Sequence, residues 1–209
     1  MLKIYGIVQS RAFRVLWLAK ELGISFEHIP VSTMGAQAQC KEDWYRALNP
    51  KARVPTIDDD GFILTESWAI NIYLARKYGG PHGPFFPKTP QEEASMLQWA
   101  FFAATDLEPP TVKILRNRVV LPAGERSEAE AKQGELEIRA PLAIVESALA
   151  KAPYLAGAEF GLSDVMAGGA SVSLLGLKYD LTDFPNTRRW LGAMSSRPAF
   201  QEAMKMRTK

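Results

Sequence analysis

Ser10 stands in the stretch Gln9-Ser10-Arg11-Ala12-Phe13-Arg14, where a short apolar run gives way to helical spacing. A hydroxyl at the junction of a strand and a helix can donate a hydrogen bond to an anion, and the helix N-terminus adds favourable potential there. A bound thiol gains most from such help. Its unperturbed pKa lies near ~8.5, and each unit of depression corresponds to ~1.4 kcal/mol of preferential thiolate stabilisation. One or two units is a reasonable demand on a charge-assisted hydrogen bond plus a helix terminus. The same serine also fits a plain helix N-cap.

Three further features share the first eighty residues. Val54-Pro55 opens an apolar run, and a proline there has no N–H for a sheet. A cis bond at that point would leave the Val54 amide and carbonyl free to pair with an extended peptide; a trans proline on an edge strand is the other reading. Glu66-Ser67 lies where a strand gives way to a helix. Its hydroxyl and free amides suit a carboxylate and its acid suits an ammonium, so the pair suits an α-amino acid end, or else a capping serine with a neighbouring acid. Arg53, with Lys41 and Lys51 upstream, is a cation that can pair with a ligand carboxylate or belong to a solvated basic loop.

The elements that must position these residues follow from periodicity. Lys3 to Val8 reads as a buried strand, and Ala12 to Leu22 as a helix with Val15, Leu18, Ala19 and Leu22 on one face and Gly23 as its stop. Phe26 to Val31 is a second strand, and Gly35 to Leu48 has helical spacing at Cys40, Trp44 and Leu48. Val54 to Ile57 and Phe62 to Leu64 form a hairpin around Asp58-Asp59-Asp60-Gly61, in which Asp-Gly supplies positive φ. Ser67 to Tyr78 is helical, and Gly79-Gly80 ends it. The order β-α-β-α-β-β-α implies a mixed, mostly buried sheet.

Residues 81–91 read as a linker, and nothing beyond them reads as a strand. Thr89-Pro90-Gln91-Glu92 and Ser127-Glu128-Ala129-Glu130 are capping boxes, the second opening a helix to about Ala150. Helical patterns follow at Asp164 to Leu177, Pro185 to Ser195 and after Pro198. The expected domains are residues 1–80, with a thioredoxin-like α+β order, and an all-α bundle over 92–209.

Composition narrows the class. An apolar fraction of 47% with five tryptophans among 209 residues favours a packed globule. Net charge is +2 with no basic block, so nucleic acid is not expected as a partner. One cysteine, Cys40, rules out a disulfide within the chain and a cysteine-only metal site, and His28 and His82 are too few for an expected zinc centre. No signal peptide or membrane span is read, so the expected location is a reducing cytoplasm.

Taken together, Ser10-x-x-x-Arg14-Val15, Asn49-Pro50-x-x-x-Val54-Pro55 and Glu66-Ser67, in that element order and followed by helices, resemble the cytosolic glutathione S-transferase superfamily over essentially the whole chain. A serine ahead of the first helix looks like the serine-type classes, theta-like and related bacterial forms. Tyr5, inside a strand, does not match a catalytic tyrosine. The resemblance implies that Ser10 holds the glutathione sulfur as thiolate, that Val54, before a cis Pro55, pairs with the cysteinyl backbone, that Glu66 and Ser67 hold the γ-glutamyl end, and that Arg53 helps bind the glycyl carboxylate. It implies glutathione as co-substrate and a homodimer. The family's capping box in the sixth helix has Gly161 where Ser or Thr is usual, in Gly161-Leu162-Ser163-Asp164; Asp164 can still accept from the backbone at the helix start.

By the same resemblance, the helix from Met96 to Leu107 contributes Trp99, Phe102 and Asp106 to a pocket for a hydrophobic electrophile, and in some classes of the family an acid at the position of Asp106 reaches glutathione across a dimer interface. Core packing is the alternative role for those aromatics. Glu108-Pro109-Pro110 is expected to bend or end the helix. Conjugation of the thiol to an electrophilic carbon is the leading activity. A glutathione-dependent isomerase, dehalogenase or peroxidase is the alternative on the same site, and a non-catalytic ligand-binding scaffold is the alternative of another class. A thiol–disulfide oxidoreductase is disfavoured because no Cys-x-x-Cys is present.

Overall fold

The computed structural model describes all residues except Ala36, Gln37, Pro81, His82, Pro84, Thr208 and Lys209. Of the expected linker, Pro81, His82 and Pro84 therefore lie outside the described residues. The chain divides into two units, one of residues 1–86 with 196–209 and one of residues 87–195.

The first unit is built on a four-stranded sheet in the order β2-β1-β3-β4, made of β1 (Leu2–Tyr5), β2 (Phe26–Ile29), β3 (Thr56–Asp59) and β4 (Phe62–Thr65). β1 pairs parallel with β2 and antiparallel with β3, and β3 pairs antiparallel with β4, the mixed sheet that the element order implies. β1 stops earlier than expected, because Gly6 takes φ +135° and leads into the turn before Ser10. A Cβ on Gly6 would lie 2.7 Å from that of Ala12 and 2.9 Å from that of Val54, so only glycine lets these segments meet. The β3–β4 hairpin turns on Asp60-Gly61, both at positive φ, as the Asp-Gly signal requires.

Helix α1 (Ala12–Glu21) is buried from Ala12 to Ala19, wider than the single apolar stripe read from the sequence. The cause is α11 (Pro198–Lys205), which packs on α1 within this unit. Residues 196–207, expected in the helical domain, thus lie with the sheet. In the loop after β2, a short 3-10 turn at Gln39–Lys41 and α2 (Asp43–Leu48) replace the longer expected helix. α3 (Ser67–Tyr78) packs on α1.

The second unit holds helices and no strand among its described residues. α4 (Pro90–Phe102) starts with Pro90 in its first turn and the Thr89 hydroxyl accepting from the Glu92 amide at 3.2 Å, so helix begins inside the expected linker. The proline pair does not end the helix. A wide i→i+5 turn over Ala103–Leu107 leads into α5 (Glu108–Leu115), whose first turn holds Pro109 and Pro110, where a missing N–H is harmless. The expected single helix to Ala150 is two, α6 (Glu128–Glu137) and α7 (Arg139–Leu149). Pro141 cannot donate to the Glu137 carbonyl and its ring crowds it, which accounts for the break. α8 (Leu162–Ser171), the short α9 (Ser173–Gly176) and α10 (Pro185–Ser195) complete the unit.

Two acids, Asp164 buried and Glu146 half-buried, anchor this unit. Asp164 is fully buried and accepts from the Leu155 amide (3.0 Å), the Gly161 amide (3.0 Å) and the Trp190 indole (2.8 Å). Glycine at 161 removes only the side-chain half of the box; the Asp164 half is intact. Burial pushes the Asp164 carboxyl up, and these hydrogen bonds only partly offset it. Glu146 accepts from the amides and side chains of Asn186 and Thr187, capping α10 with an anion. Burial raises its pKa, but those hydrogen bonds outweigh it and leave the carboxyl below its ordinary value.

Candidate functional site

Tyr5, Thr56 and Thr65 are register partners in one row across β1, β3 and β4. Each strand runs out at that row. Just beyond it the chain carries Ser10 after β1, Val54-Pro55 before β3, and Glu66-Ser67 after β4. Three segments far apart in sequence thus gather at one end of the sheet, with neighbouring strands about 4.8 Å apart.

Ser10 precedes α1, and its hydroxyl is engaged twice. It donates to the Ile7 carbonyl at 2.6 Å and accepts from the Ala12 amide at 3.1 Å. The capping role read from sequence is therefore real in this state, and a ligand sulfur would have to take over the proton now given to Ile7.

The Val54–Pro55 bond is cis, as expected. A network missed by sequence reading braces the residues before it. The Tyr45 hydroxyl donates to the Arg53 carbonyl at 2.8 Å and lies 2.8 Å from Thr56 Oγ1, while the Asn49 amide donates to the same carbonyl at 2.7 Å and to Thr56 Oγ1 at 3.2 Å. Because the Tyr45 proton goes to Arg53, Thr56 supplies the proton between the two hydroxyls. Burial pushes the Tyr45 phenol up to about 12, against the opposing hydrogen bonds from Thr56 and Asn49. The Asn49-Pro50 dipeptide was the only trace of this network in the sequence. Tyr5, Val31, Cys40, Tyr45 and Val54 belong to one buried cluster, so Tyr5 and Cys40 are core residues. The Arg53 side chain is exposed.

Glu66 takes φ +68° and ψ 112°, a conformation that costs of order 1–3 kcal/mol in a non-glycine residue and is concentrated at ligand sites. Its carboxylate pairs with Lys51 Nζ at 2.6 Å, both side chains being solvent-exposed. Ser67 is the first residue of α3, not its cap, and is 2% exposed. The first backbone bond of the helix runs from the Ile70 amide to the Glu66 carbonyl, so the amides of residues 67–69 are the orphan donors of the helix start. Next to it, the Trp68 ring lies under the buried Arg14 guanidinium, 4.4 Å from its centroid.

Trp99, Phe102 and Asp106 belong to the second unit. The two rings meet edge to face at 5.7 Å and are half-buried. Asp106 is exposed and accepts from the Thr105 hydroxyl.

Comparison with known proteins decides the family. Residues 1–76 match the glutathione S-transferase N-terminal domain, and residues 87–198 match the glutathione S-transferase C-terminal domain. The chain belongs to the glutathione S-transferase family. Glutathione S-transferase F9 of Arabidopsis thaliana is 31% identical to it over 212 residues, spanning 98% of this chain and 96% of the relative. A theta class glutathione S-transferase from Xanthomonas axonopodis pv. citri, solved with glutathione bound, superposes with TM-score 0.86 at 29% identity, over 97% of this glutathione S-transferase and 96% of that chain. Ure2p5 from Phanerochaete chrysosporium, cocrystallised with 1-(S-glutathionyl)-2,4-dinitrobenzene, superposes with TM-score 0.84 at 26% identity, over 98% and 93% of the two chains.

Proposed function

We propose that this glutathione S-transferase binds glutathione at the sheet end marked by Tyr5, Thr56 and Thr65, holds its sulfur as thiolate with Ser10, and adds it to an electrophilic carbon of a hydrophobic substrate. The observation that supports the reading is that the segments carrying Ser10, Val54 and Glu66-Ser67 all leave the sheet at the end marked by the row Tyr5, Thr56 and Thr65. The Val54 backbone pairs with the cysteinyl unit as an added strand would. Ser67 and the free amides of α3 take the γ-glutamyl carboxylate, and Glu66 takes its ammonium in exchange for Lys51. Arg53 faces the glycyl carboxylate. The Ser10 hydroxyl transfers its hydrogen bond from Ile7 to the sulfur, and the start of α1 adds to the potential that favours the anion. The thiol proton leaves to solvent. The sulfur then forms a C–S bond while the electrophile's leaving group departs with its electron pair.

In the second unit, Trp99 and Phe102 line the site of the hydrophobic substrate, and Asp106 acts from a partner subunit in a cytoplasmic homodimer. The test is titration of glutathione against the protein, followed by turnover with a panel of electrophiles that includes a halogenated dinitrobenzene. Saturable glutathione binding and halide release are expected. Absence of either overturns the reading.

A further inference from the structure

The last helix of the chain lies on the helix that carries the Ser10 end of the site, and its contacts run in an unbroken line. Arg197 Nε and Nη2 bond the two oxygens of Glu21 at 2.6 and 2.8 Å, and the Trp17 indole donates to the same carboxylate at 2.9 Å. The Glu21 side chain is 6% exposed, so it relies on these partners, not on water, for its hydrogen bonds. One turn further into α11, Phe200 meets Trp17 edge to face at 5.1 Å and Phe13 at 4.9 Å. Phe13 in turn donates its amide to the Ser10 carbonyl at 3.0 Å. Trp17 is fully buried, and Phe13 and Phe200 nearly so, so a displacement of one ring must be passed to the next in a close-packed interior.

We propose that Phe200, held in place by Arg197, is a positioning residue for Ser10, and that α11 thereby sets where the activating hydroxyl points. The proposal rests on the reading of Ser10 as the sulfur's hydrogen-bond donor. Its physical basis is that the Ser10 hydroxyl has one proton to give, whose direction follows the backbone that Phe13 fixes. A catalytic group must be held within about half an ångström by the residues behind it, and a displacement of about 1 Å can cost ~100-fold in rate. The grip on the rest of the tripeptide comes from the segments at Val54 and Glu66-Ser67, so a fault in α11 appears in chemistry before it appears in affinity.

The test uses the full chain with Phe200→Leu, Arg197→Ala and Arg197→Lys. Folding at the assay temperature is followed by circular dichroism, glutathione affinity by calorimetry, the bound thiol by its ultraviolet titration, and kcat/KM as a function of pH. Phe200→Leu is expected to lower turnover by roughly 5–30-fold, within the ~100-fold scale of an ångström displacement. The bound thiol should titrate at higher pH and the glutathione dissociation constant should stay within about twofold. Arg197→Ala should shift the same readouts in the same direction, and Arg197→Lys, which keeps the charge but not the two-pronged contact, should restore only part of the loss. Should Phe200→Leu not fold, Phe200→Met and the Arg197 pair carry the test. Folded variants with the parent's thiol titration overturn the proposal, as does a turnover loss matched by weaker binding. Ser10→Ala run alongside separates the two readings. If it leaves the thiol titration unchanged, the role of Ser10 itself fails; if it shifts the titration and Phe200→Leu does not, only the role of α11 fails.

Discussion

Asn49 and Arg53 are joined through one carbonyl: the Asn49 amide donates to Arg53 O at 2.7 Å, and Tyr45 shares that oxygen at 2.8 Å. The residue before Val54 is thus clamped from the buried side. Asn49→Ala should cost about 1–3 kcal/mol by urea denaturation, because it strips hydrogen bonds from buried partners. It should also raise the glutathione dissociation constant several-fold, by loosening Val54. A stability loss with unchanged affinity would separate this clamp from the ligand site.

Ser10→Ala should lower turnover at neutral pH by roughly 10–1000-fold, the usual loss when one preorganised donor to an anion is removed. The protein should remain folded, since the lost bond to the Ala12 amide is a capping bond of ~1 kcal/mol. The bound thiol should titrate at higher pH than in the parent. Equal turnover in the variant would reduce Ser10 to a cap.

Ser67→Ala should weaken glutathione binding by ~1–3 kcal/mol, the range for a hydrogen bond to a charged group. Calorimetry reads this directly. An unchanged dissociation constant would show that the γ-glutamyl end sits elsewhere.

Asp59 gives a pH dependence. It is 3% exposed and accepts from Tyr73 (2.8 Å), Lys77 (2.7 Å) and Tyr78 (2.8 Å). Burial alone would raise its pKa, but the hydrogen bonds from Lys77, Tyr73 and Tyr78 outweigh it and leave the carboxyl below its ordinary value. A carboxyl depressed in the folded state stabilises above its unfolded pKa of ~3.9 and loses that contribution as pH falls through the folded value. Asp59→Asn should therefore lose stability at neutral pH and show a shallower loss on acidification below about pH 4. Denaturant midpoints measured across that range decide it; parallel curves for parent and variant would sink the idea.

Sedimentation at micromolar concentration should give a two-fold dimer, the commonest closed assembly. A stable monomer would exclude any action of Asp106 across an interface.

Local chemistry was the legible part of the sequence. Asp60-Gly61 announced its turn because both residues must take positive φ, and Thr89-Pro90 announced the start of α4 because cap and first turn lie within four residues. Ser10, Val54 and Glu66-Ser67 could be marked as candidates because each sits at an element boundary. The hidden part depends on partners that sequence spacing does not bring together. Tyr45 and Thr56 meet only once the sheet is assembled. Glu146 caps a helix forty residues on. The wide turn before Pro109 and the break ahead of Pro141 show that a proline's effect depends on whether its carbonyl neighbour is already spared a donor. The buried outer face of α1 was out of reach, because what covers it comes from the far end of the chain.

That arrangement has a consequence for biosynthesis. Glu21 and Arg197 are 176 positions apart, so α1 leaves the ribosome long before its cover exists. Domains generally fold as units, N-terminal first, at a synthesis rate of about 5–20 residues per second. Here the first unit waits on the order of ten seconds or more at that rate, while the whole helical unit is made, before Trp17 and Phe13 find Phe200. Until then the face of α1 that α11 covers stands open on the nascent sheet unit, apolar surface that a chaperone can hold.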